Sequence, residues 1–189
     1  MNIEKKGIRA FGVAESFRKA DKLSTLAGIV MRRDLVIDGL AFGSSTVGGD
    51  DSTKTILSMF RSLARNDINC IIIDGLIISM YNIIDGQLIH TETGIPVIGI
   101  SFNESSGLED HIIRLFKAER QETKLNRYCK IGKREQIVLR TGKNLFIRFW
   151  GTNCYRAVKV LNAFTLQGSI PEPIRVAKLF ARARSVCKG

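Results

Sequence analysis

Residues of the zinc-binding type are scarce in this sequence. The 189 residues include two histidines and four cysteines, and no pair of cysteines has the C-x-x-C spacing of a zinc site. The thiols are dispersed along the chain, at positions 70, 129, 154 and 187. We therefore expect reduced cysteines and no zinc centre.

Long apolar runs are also missing. No run approaches the about 20 residues that a membrane-spanning helix needs, so we expect no membrane partner. The first residues, Met-Asn-Ile-Glu-Lys-Lys, contain no apolar signal segment, which predicts a cytoplasmic protein. Repeats and low-complexity stretches are absent. The length and the hydrophobic content of 44% suit one globular domain, and we expect residues 1–189 to form it.

Acidic residues become few in the second half of the chain. Residues 1–102 hold 11 Lys/Arg and 11 Asp/Glu, whereas residues 103–189 hold 18 Lys/Arg and 7 Asp/Glu. The whole net charge of +11 therefore lies after residue 102. A cationic face beside a neutral half favours nucleic acid as the partner. Charge alone fits equally well a basic surface that has no specific partner.

The most informative stretch begins at Cys70. Ile71–Ile73 form a short β-branched run, typical of a strand that is buried on both faces of a parallel sheet. Asp74 follows, at the strand end where open α/β sheets bind ligands. Apolar positions between Ile83 and Ile89 predict a returning helix that Gly94 ends, and Val97–Ile100 predict the next strand. The unit is therefore β-α-β.

The elements around this unit complete an α/β pattern. Three strands come first, and the short turn at Asp34 makes the second and third antiparallel. A helix with an apolar stripe then leads into the unit, and charged residues 117–134 either extend a later helix or form a loop. The remaining predicted elements are strands at 7–14, 25–32 and 36–46, a hairpin at 137–140 and 145–149, and helices from residues 155 and 171.

Three motifs resemble those of a known family. Asp74-Gly75, the segment Gly94–Gly99 and the segment Pro171–Ala177 are similar to motifs of endonuclease V. The likeness to the archaeal endonuclease dU family, which is related to endonuclease V, extends from Ile8 to about Ala183. The resemblance implies a ribonuclease H-like fold, with a five-stranded mixed sheet in the order 3-2-1-4-5 flanked by helices.

Four carboxylates are the candidate catalytic residues, because the predicted topology brings them to one end of the sheet. They are Asp74, Glu15, Asp50 and Asp51. Clustered carboxylates hold the divalent ions that hydrolyse phosphodiesters, and we expect Asp74, Glu15 and Asp50 to bind Mg²⁺ or Mn²⁺. Other roles remain open, since Asp51 suits a helix N-cap and Asp50 suits the adjoining Gly-Gly turn.

Three positions differ from the endonuclease V pattern. Ala14 and Lys178 stand where that family has aspartates, and Phe102 stands where it has a lysine. The first hypothesis is a metal-dependent endonuclease that acts on DNA near deaminated bases such as deoxyuridine, in DNA repair. The second is a non-catalytic nucleic-acid-binding protein with a degraded metal site, and the third is a structural or regulatory protein that binds no nucleic acid.

A set of polar residues in the second half is expected to contact nucleic acid, with DNA as the expected form. Its members are Arg175, Lys178, Arg182, Arg184, Lys143 and Asn153. Cations neutralise phosphates, and Asn153 begins a helix whose N-terminus can bind phosphate. For each residue singly, a solvated helix face or an ordinary helix cap explains the residue as well.

Overall fold

A seven-stranded mixed sheet forms the frame of the molecule. The computed structural model describes residues 7–18, 20–105 and 107–187. The strands of the sheet are β1 (Arg9–Ser16), β2 (Leu23–Arg32), β3 (Ile37–Thr46), β4 (Cys70–Asp74), β7 (Val97–Ser101), β8 (Glu135–Val138) and β9 (Asn144–Trp150). Their order is β3-β2-β1-β4-β7-β9-β8, and β5 (Ile77–Ile78) and β6 (Asn82–Ile83) form a separate hairpin.

The first five strands in this order match the predicted arrangement, with β7 as the fifth. Strand β2 is antiparallel to β1 and β3, and β4 is parallel to β1 and β7. The predicted total of five strands is wrong, because β9 pairs antiparallel with β7 and β8 pairs with β9. The hairpin predicted at 137–140 and 145–149 therefore extends the sheet.

Six helices lie along the described chain. They are α1 (Ser52–Ser62), α2 (Gly86–Thr93), α3 (Glu109–Leu115), α4 (Ala118–Lys130), α5 (Cys154–Phe164) and α6 (Glu172–Val186). The charged segment after residue 117 thus forms a helix of its own. No helix in the described ranges is long and apolar enough to span a bilayer.

The alternation of side chains along the strands produces a core on each face of the sheet. On one face, Ile71 and Ile73 of β4 pack with Ile56 of α1 and Ile89 of α2. On the other face, Ile72 joins residues of β7, β9, α5 and α6. Strand β4 is therefore covered on both sides, as its unbroken apolar run predicts.

The returning helix α2 is shorter than the apolar spacing predicts. Ile83 pairs with Ile77 in the β5–β6 hairpin, so its backbone is extended. The helix begins only after Asp85, whose side chain accepts a hydrogen bond from the Leu88 amide at 2.9 Å. Gly94 ends the helix as predicted, with φ of 68° in the left-handed region.

Helix α6 approaches β1 unusually closely because Gly12 has no side chain. The space that a Cβ atom at Gly12 would fill is taken by Pro173, in the first turn of α6. This contact fixes the helix across the sheet. The helix in turn carries Lys178, about one and a half turns after Pro173, over the C-terminal end of β4.

Candidate functional site

Asp74 ends the central strand β4, and its side chain is 15% exposed. The chain turns away at Gly75, whose φ of 79° is left-handed and whose amide donates to Ile100 at 2.8 Å. Burial raises the pKa of Asp74 above its ordinary value, although Lys178 opposes this rise. A carboxylate of this kind is costly without a partner.

Lys178 is that partner. Its Nζ lies 2.9 Å from Oδ2 of Asp74 and 4.9 Å from the centre of the Phe102 ring. Ala14 lies beside this pair, because Val13 and Ile73 are in register and Ala14 packs with Ala177 of α6. The three positions that differ from the endonuclease V pattern therefore gather around Asp74. A side-chain ammonium provides the positive charge next to its carboxylate.

Glu15 lies on the opposite face of the sheet from Ala14. It is in register with Leu26, which belongs to the α1–α2 core. Its carboxylate accepts hydrogen bonds from the amide of Ser79, at 2.7 Å, and from the hydroxyl of the same residue. Glu15 therefore anchors the β5–β6 hairpin instead of facing the Lys178 side of Asp74.

The hairpin that Glu15 holds is a strained segment. Ser79, Met80 and Tyr81 have φ values of 43°, 56° and 69°, a left-handed conformation that non-glycine residues seldom adopt. Gly48 donates its amide to the Ser79 carbonyl at 2.5 Å. Such a turn persists only where the surroundings fix it, and the bonds to Glu15 and Gly48 do so.

Asp50 forms ion pairs with α4. Its Oδ1 lies 2.8 Å from Lys124 Nζ and 2.8 Å from Arg127 Nη1. The Lys124 side chain is 0% exposed, and its ammonium also donates to the carbonyls of Gly49 at 2.5 Å and Tyr81 at 2.7 Å. Burial lowers the pKa of Lys124, and Asp50 opposes that shift. Lys124 is not among the predicted site residues, and the one signal for it in the sequence is a charge on the side of a polar helix that faces the protein.

Asp51 occupies the N-cap position of α1, but its side chain makes no cap bond to the helix. Instead it accepts from the Thr46 amide at 3.0 Å, the Thr46 hydroxyl at 2.8 Å and the Asn82 amide group at 2.7 Å. Burial would raise the pKa of Asp51, but the bonds from Thr46 and Asn82 outweigh it and hold the pKa below its ordinary value. Asp51 thus ties β3 to the hairpin.

These four carboxylates do not converge on one point. Within the described residues, no group of three or more His, Cys, Asp and Glu side chains is arranged to hold a metal ion. A Mg²⁺ or Mn²⁺ ion needs about six oxygen ligands around one centre. The residues as arranged do not fit such an ion, because Glu15 and Ala14 alternate across the sheet and because Asp50, Asp51 and Asp74 each have other partners.

The residues expected to contact nucleic acid have varied surroundings. Arg175 pairs with Glu172 at 2.5 Å, and the Arg184 guanidinium lies 4.2 Å from the Phe42 ring centre. Asn153 caps α5 by accepting from the Arg156 amide at 2.9 Å. Arg182 and Lys143 are exposed. Arg182 and Lys143 are therefore accessible to a ligand.

The strand order and the helices on both faces define an α/β fold of the ribonuclease H-like class. Endonuclease V from Ciona intestinalis, solved with a 24mer DNA containing an inosine followed by a ribo-adenosine, has this fold, with a TM-score of 0.63 and 15% identity. The likeness covers 97% of this chain and 88% of that one. Endonuclease V from Streptomyces avermitilis matches with a TM-score of 0.66, 18% identity and 97% and 84% coverage.

The chain belongs to the endonuclease dU family, whose model matches residues 6–185. A UPF0215 protein of Pyrobaculum calidifontis is 34% identical over 170 residues, which are 89% of this chain and 92% of that protein. The predicted relationship to archaeal endonuclease dU proteins and to endonuclease V is confirmed.

Proposed function

We propose that the protein is an endonuclease that cleaves DNA near deaminated bases such as deoxyuridine, as one endonuclease V-like domain with a role in DNA repair. Membership of the endonuclease dU family supports the substrate. The observation that carries the proposal is the position of Asp74. It is a partly exposed carboxylate at the C-terminal end of the central strand, between β1 and β7, where α/β sheets place their ligands.

Lys178 is the group at this site that would meet a phosphate. Its side chain is 27% exposed, and its ammonium contacts Asp74. Mg²⁺ or Mn²⁺ is the cofactor that the family resemblance implies, and such an ion supplies an activated water and neutralises the leaving oxygen. The carboxylates as arranged do not fit such an ion.

A second function, nucleic-acid binding without cleavage, is favoured by one specific observation. The Lys178 ammonium stands 2.9 Å from Asp74, where it supplies the positive charge that a metal ion would bring. Lysine binds phosphate as a point charge, so a site of this composition can hold a strand without activating water. The exposed Arg182 and Lys143 would add backbone contacts.

A nicking assay distinguishes the two functions. End-labelled duplexes with one deoxyuridine, and matched normal duplexes, are incubated with the protein in Mg²⁺, in Mn²⁺ or in chelator. For the endonuclease we expect nicking of the deoxyuridine duplex, abolished by Asp74→Asn and retained by Asp34→Asn. Asp34 is a matched control because it lies in the β2–β3 turn, at the other end of the sheet, and pairs with Arg32.

A variant that restores the endonuclease V residues at the three differing positions supplies the complementary test. If the wild type binds DNA without nicking it, and the Ala14→Asp, Phe102→Lys, Lys178→Asp triple variant nicks, the binding function is correct. Equal nicking by the wild type and by Asp74→Asn would show that Asp74 is not part of the active site.

A further inference from the structure

Two arginines share a cleft beside the C-terminal ends of β4 and β7. Arg148 projects from β9 at the position paired with Gly99, and Arg134 lies just before β8. Both line two adjoining cavities of about 490 and 170 Å³. We name this the arginine cleft, and its shared lining residues are Ser105, Tyr128, Arg134 and Arg148.

Backbone carbonyls hold both guanidinium groups in place. Arg134 donates from Nη1 to the carbonyl of Asn103 at 2.9 Å and from Nη2 to that of Ser105 at 3.0 Å. Its guanidinium also lies 4.9 Å from the Phe146 ring centre. Arg148 donates from Nε to the Gly132 carbonyl at 2.7 Å. The two side chains are thus fixed before any ligand arrives, which lowers the entropy cost of binding.

Neither arginine has an anionic partner in the described ranges. No carboxylate oxygen there lies within 4.0 Å of either guanidinium, although Glu109 lines the outer cavity. Burial lowers the pKa of Arg148. Tyr128 opposes this shift, and the positive charge of Arg134 adds to it. Two like charges in a half-buried cleft repel each other, and an anion between them would relieve this cost.

The inner cavity extends from the arginine cleft to the turn that follows Asp74. Gly75 and Leu76, which follow Asp74 directly, line it together with Ser101 at the end of β7. A ligand held by the arginines would therefore lie next to the turn that presents Asp74. The arginine cleft and the Asp74 side chain lie on different faces of the sheet.

We infer that the arginine cleft binds a phosphate group of a nucleic-acid strand and holds that strand next to the turn that follows Asp74. The planar fork of arginine matches phosphate oxygens in a bidentate manner. The phosphate is either an internal phosphodiester or a 5′-terminal phosphate, which share this chemistry. The inference rests on the proposed action on nucleic acid and adds the place where the backbone is held.

Binding of a fluorescent single-stranded oligonucleotide tests the arginine cleft. We expect Arg148→Gln and Arg134→Gln each to weaken binding about ten-fold, as for loss of a charge-assisted hydrogen bond. The slope of log affinity against log salt is negative, and its magnitude should decrease by about 0.7 for each lost phosphate contact. Arg148→Lys should bind with intermediate affinity because it keeps the charge but loses the fork.

Arg61→Gln is the matched control, because it also removes one positive charge but lies outside the cleft. Arg61 is in α1 and pairs with Glu92 of α2. This variant should bind within two-fold of the wild type. Circular dichroism and unfolding midpoints verify that each variant is folded. Oligonucleotides with 5′-phosphate or 5′-hydroxyl ends separate the two sources, because a terminal-phosphate site gives the loss only with the phosphorylated strand.

The outcomes separate this inference from the proposed function. If the wild type binds and both glutamine variants bind as tightly as Arg61→Gln, the arginine cleft is not the phosphate site, although the protein still binds nucleic acid. If the wild type binds no oligonucleotide at low salt, the proposed function fails. Titration with inorganic phosphate then decides the cleft: movement of the Arg148 side-chain resonances supports it, and unchanged resonances overturn it.

Discussion

A Cβ atom built on Gly12 would lie 2.6 Å from Cβ and 2.7 Å from the carbonyl carbon of Pro173. Since the second of these atoms is backbone, a side chain at position 12 would push α6 away from β1. This contact limits how closely α6, which carries Lys178 over Asp74, can approach β1.

We predict that Gly12→Ala destabilises the protein by about 1–3 kcal/mol, the usual cost of overpacking. Denaturant unfolding measures the loss. Gly7→Ala is the control, because a Cβ atom there has no neighbour within 4 Å. Equal stability of the two variants would contradict the tight contact.

We predict that Lys178→Met destabilises the protein at pH 7 by about 1–3 kcal/mol, because it leaves the Asp74 carboxylate without its partner. Burial already raises the pKa of Asp74, and loss of Lys178 raises it further. As pH falls through this raised pKa, Asp74 becomes neutral, so the difference from the wild type should shrink. Urea unfolding at pH 7 and pH 5 measures this.

The Asp74→Asn, Lys178→Met double variant tests the same pair. With no carboxylate to compensate, it should recover stability relative to Lys178→Met at pH 7. Its difference from the wild type should also depend less on pH. A double variant as unstable as the single one would show that Lys178 stabilises through its packing alone.

We predict that Asp51 contributes to stability at neutral pH and loses that contribution in acid. Bonds from Thr46 and Asn82 hold its folded-state pKa below the unfolded value of about 3.9. The stability is therefore present above about pH 4 and is lost as pH falls through the lower folded pKa. Unfolding of Asp51→Asn should differ from that of the wild type most at pH 7 and least near pH 2. A constant difference would contradict this.

We predict that Lys124→Met costs about 1–3 kcal/mol, because three oxygen acceptors lose their common donor. The carbonyls of Gly49 and Tyr81 have that donor in common with Asp50. Hydrogen exchange at residues 79–82 should become faster, since the hairpin loses its tie to α4. Lys130→Met, an exposed position on the same helix, should leave both stability and exchange unchanged.

We predict that reversing Arg175, Arg182 and Arg184 to glutamate weakens binding of all nucleic-acid sequences similarly and lowers the salt dependence. Arg182 should contribute most, because Arg175 pairs with Glu172 and Arg184 stacks on Phe42. Single reversals measured by fluorescence anisotropy rank them. Sequence-dependent losses, or salt-independent binding by the wild type, would contradict a backbone-binding role.

The centre of the fold was predictable because local and global signals agree there. Ile71–Ile73 are apolar on both faces, and the structure buries them on both faces. The short turn at Asp34 left only an antiparallel pairing. The edge at which the second hairpin joins was not predictable, since it depends on Ile147 meeting Ile100 across strands far apart in sequence.

The candidate site was harder to predict than the fold. Sequence order places Glu15 and Asp74 at the C-terminal ends of β1 and β4, and Asp50 and Asp51 shortly after β3. It does not reveal the competing partners, because Lys124 comes from α4 and both Ser79 and Asn82 come from the β5–β6 hairpin. Arg148 was overlooked because it stands inside an aromatic strand, although a charge at that position is itself a signal.

The pairing of residue 74 with residue 178 also bears on the order of events during synthesis. Roughly 100 residues separate the two, so at ordinary translation rates the last helix follows β4 by roughly 5 to 20 seconds. Until then the Asp74 carboxylate has no ammonium beside it, and water must solvate it. We therefore expect the end of β4 to stay open to water until the C-terminal helix emerges and packs over it.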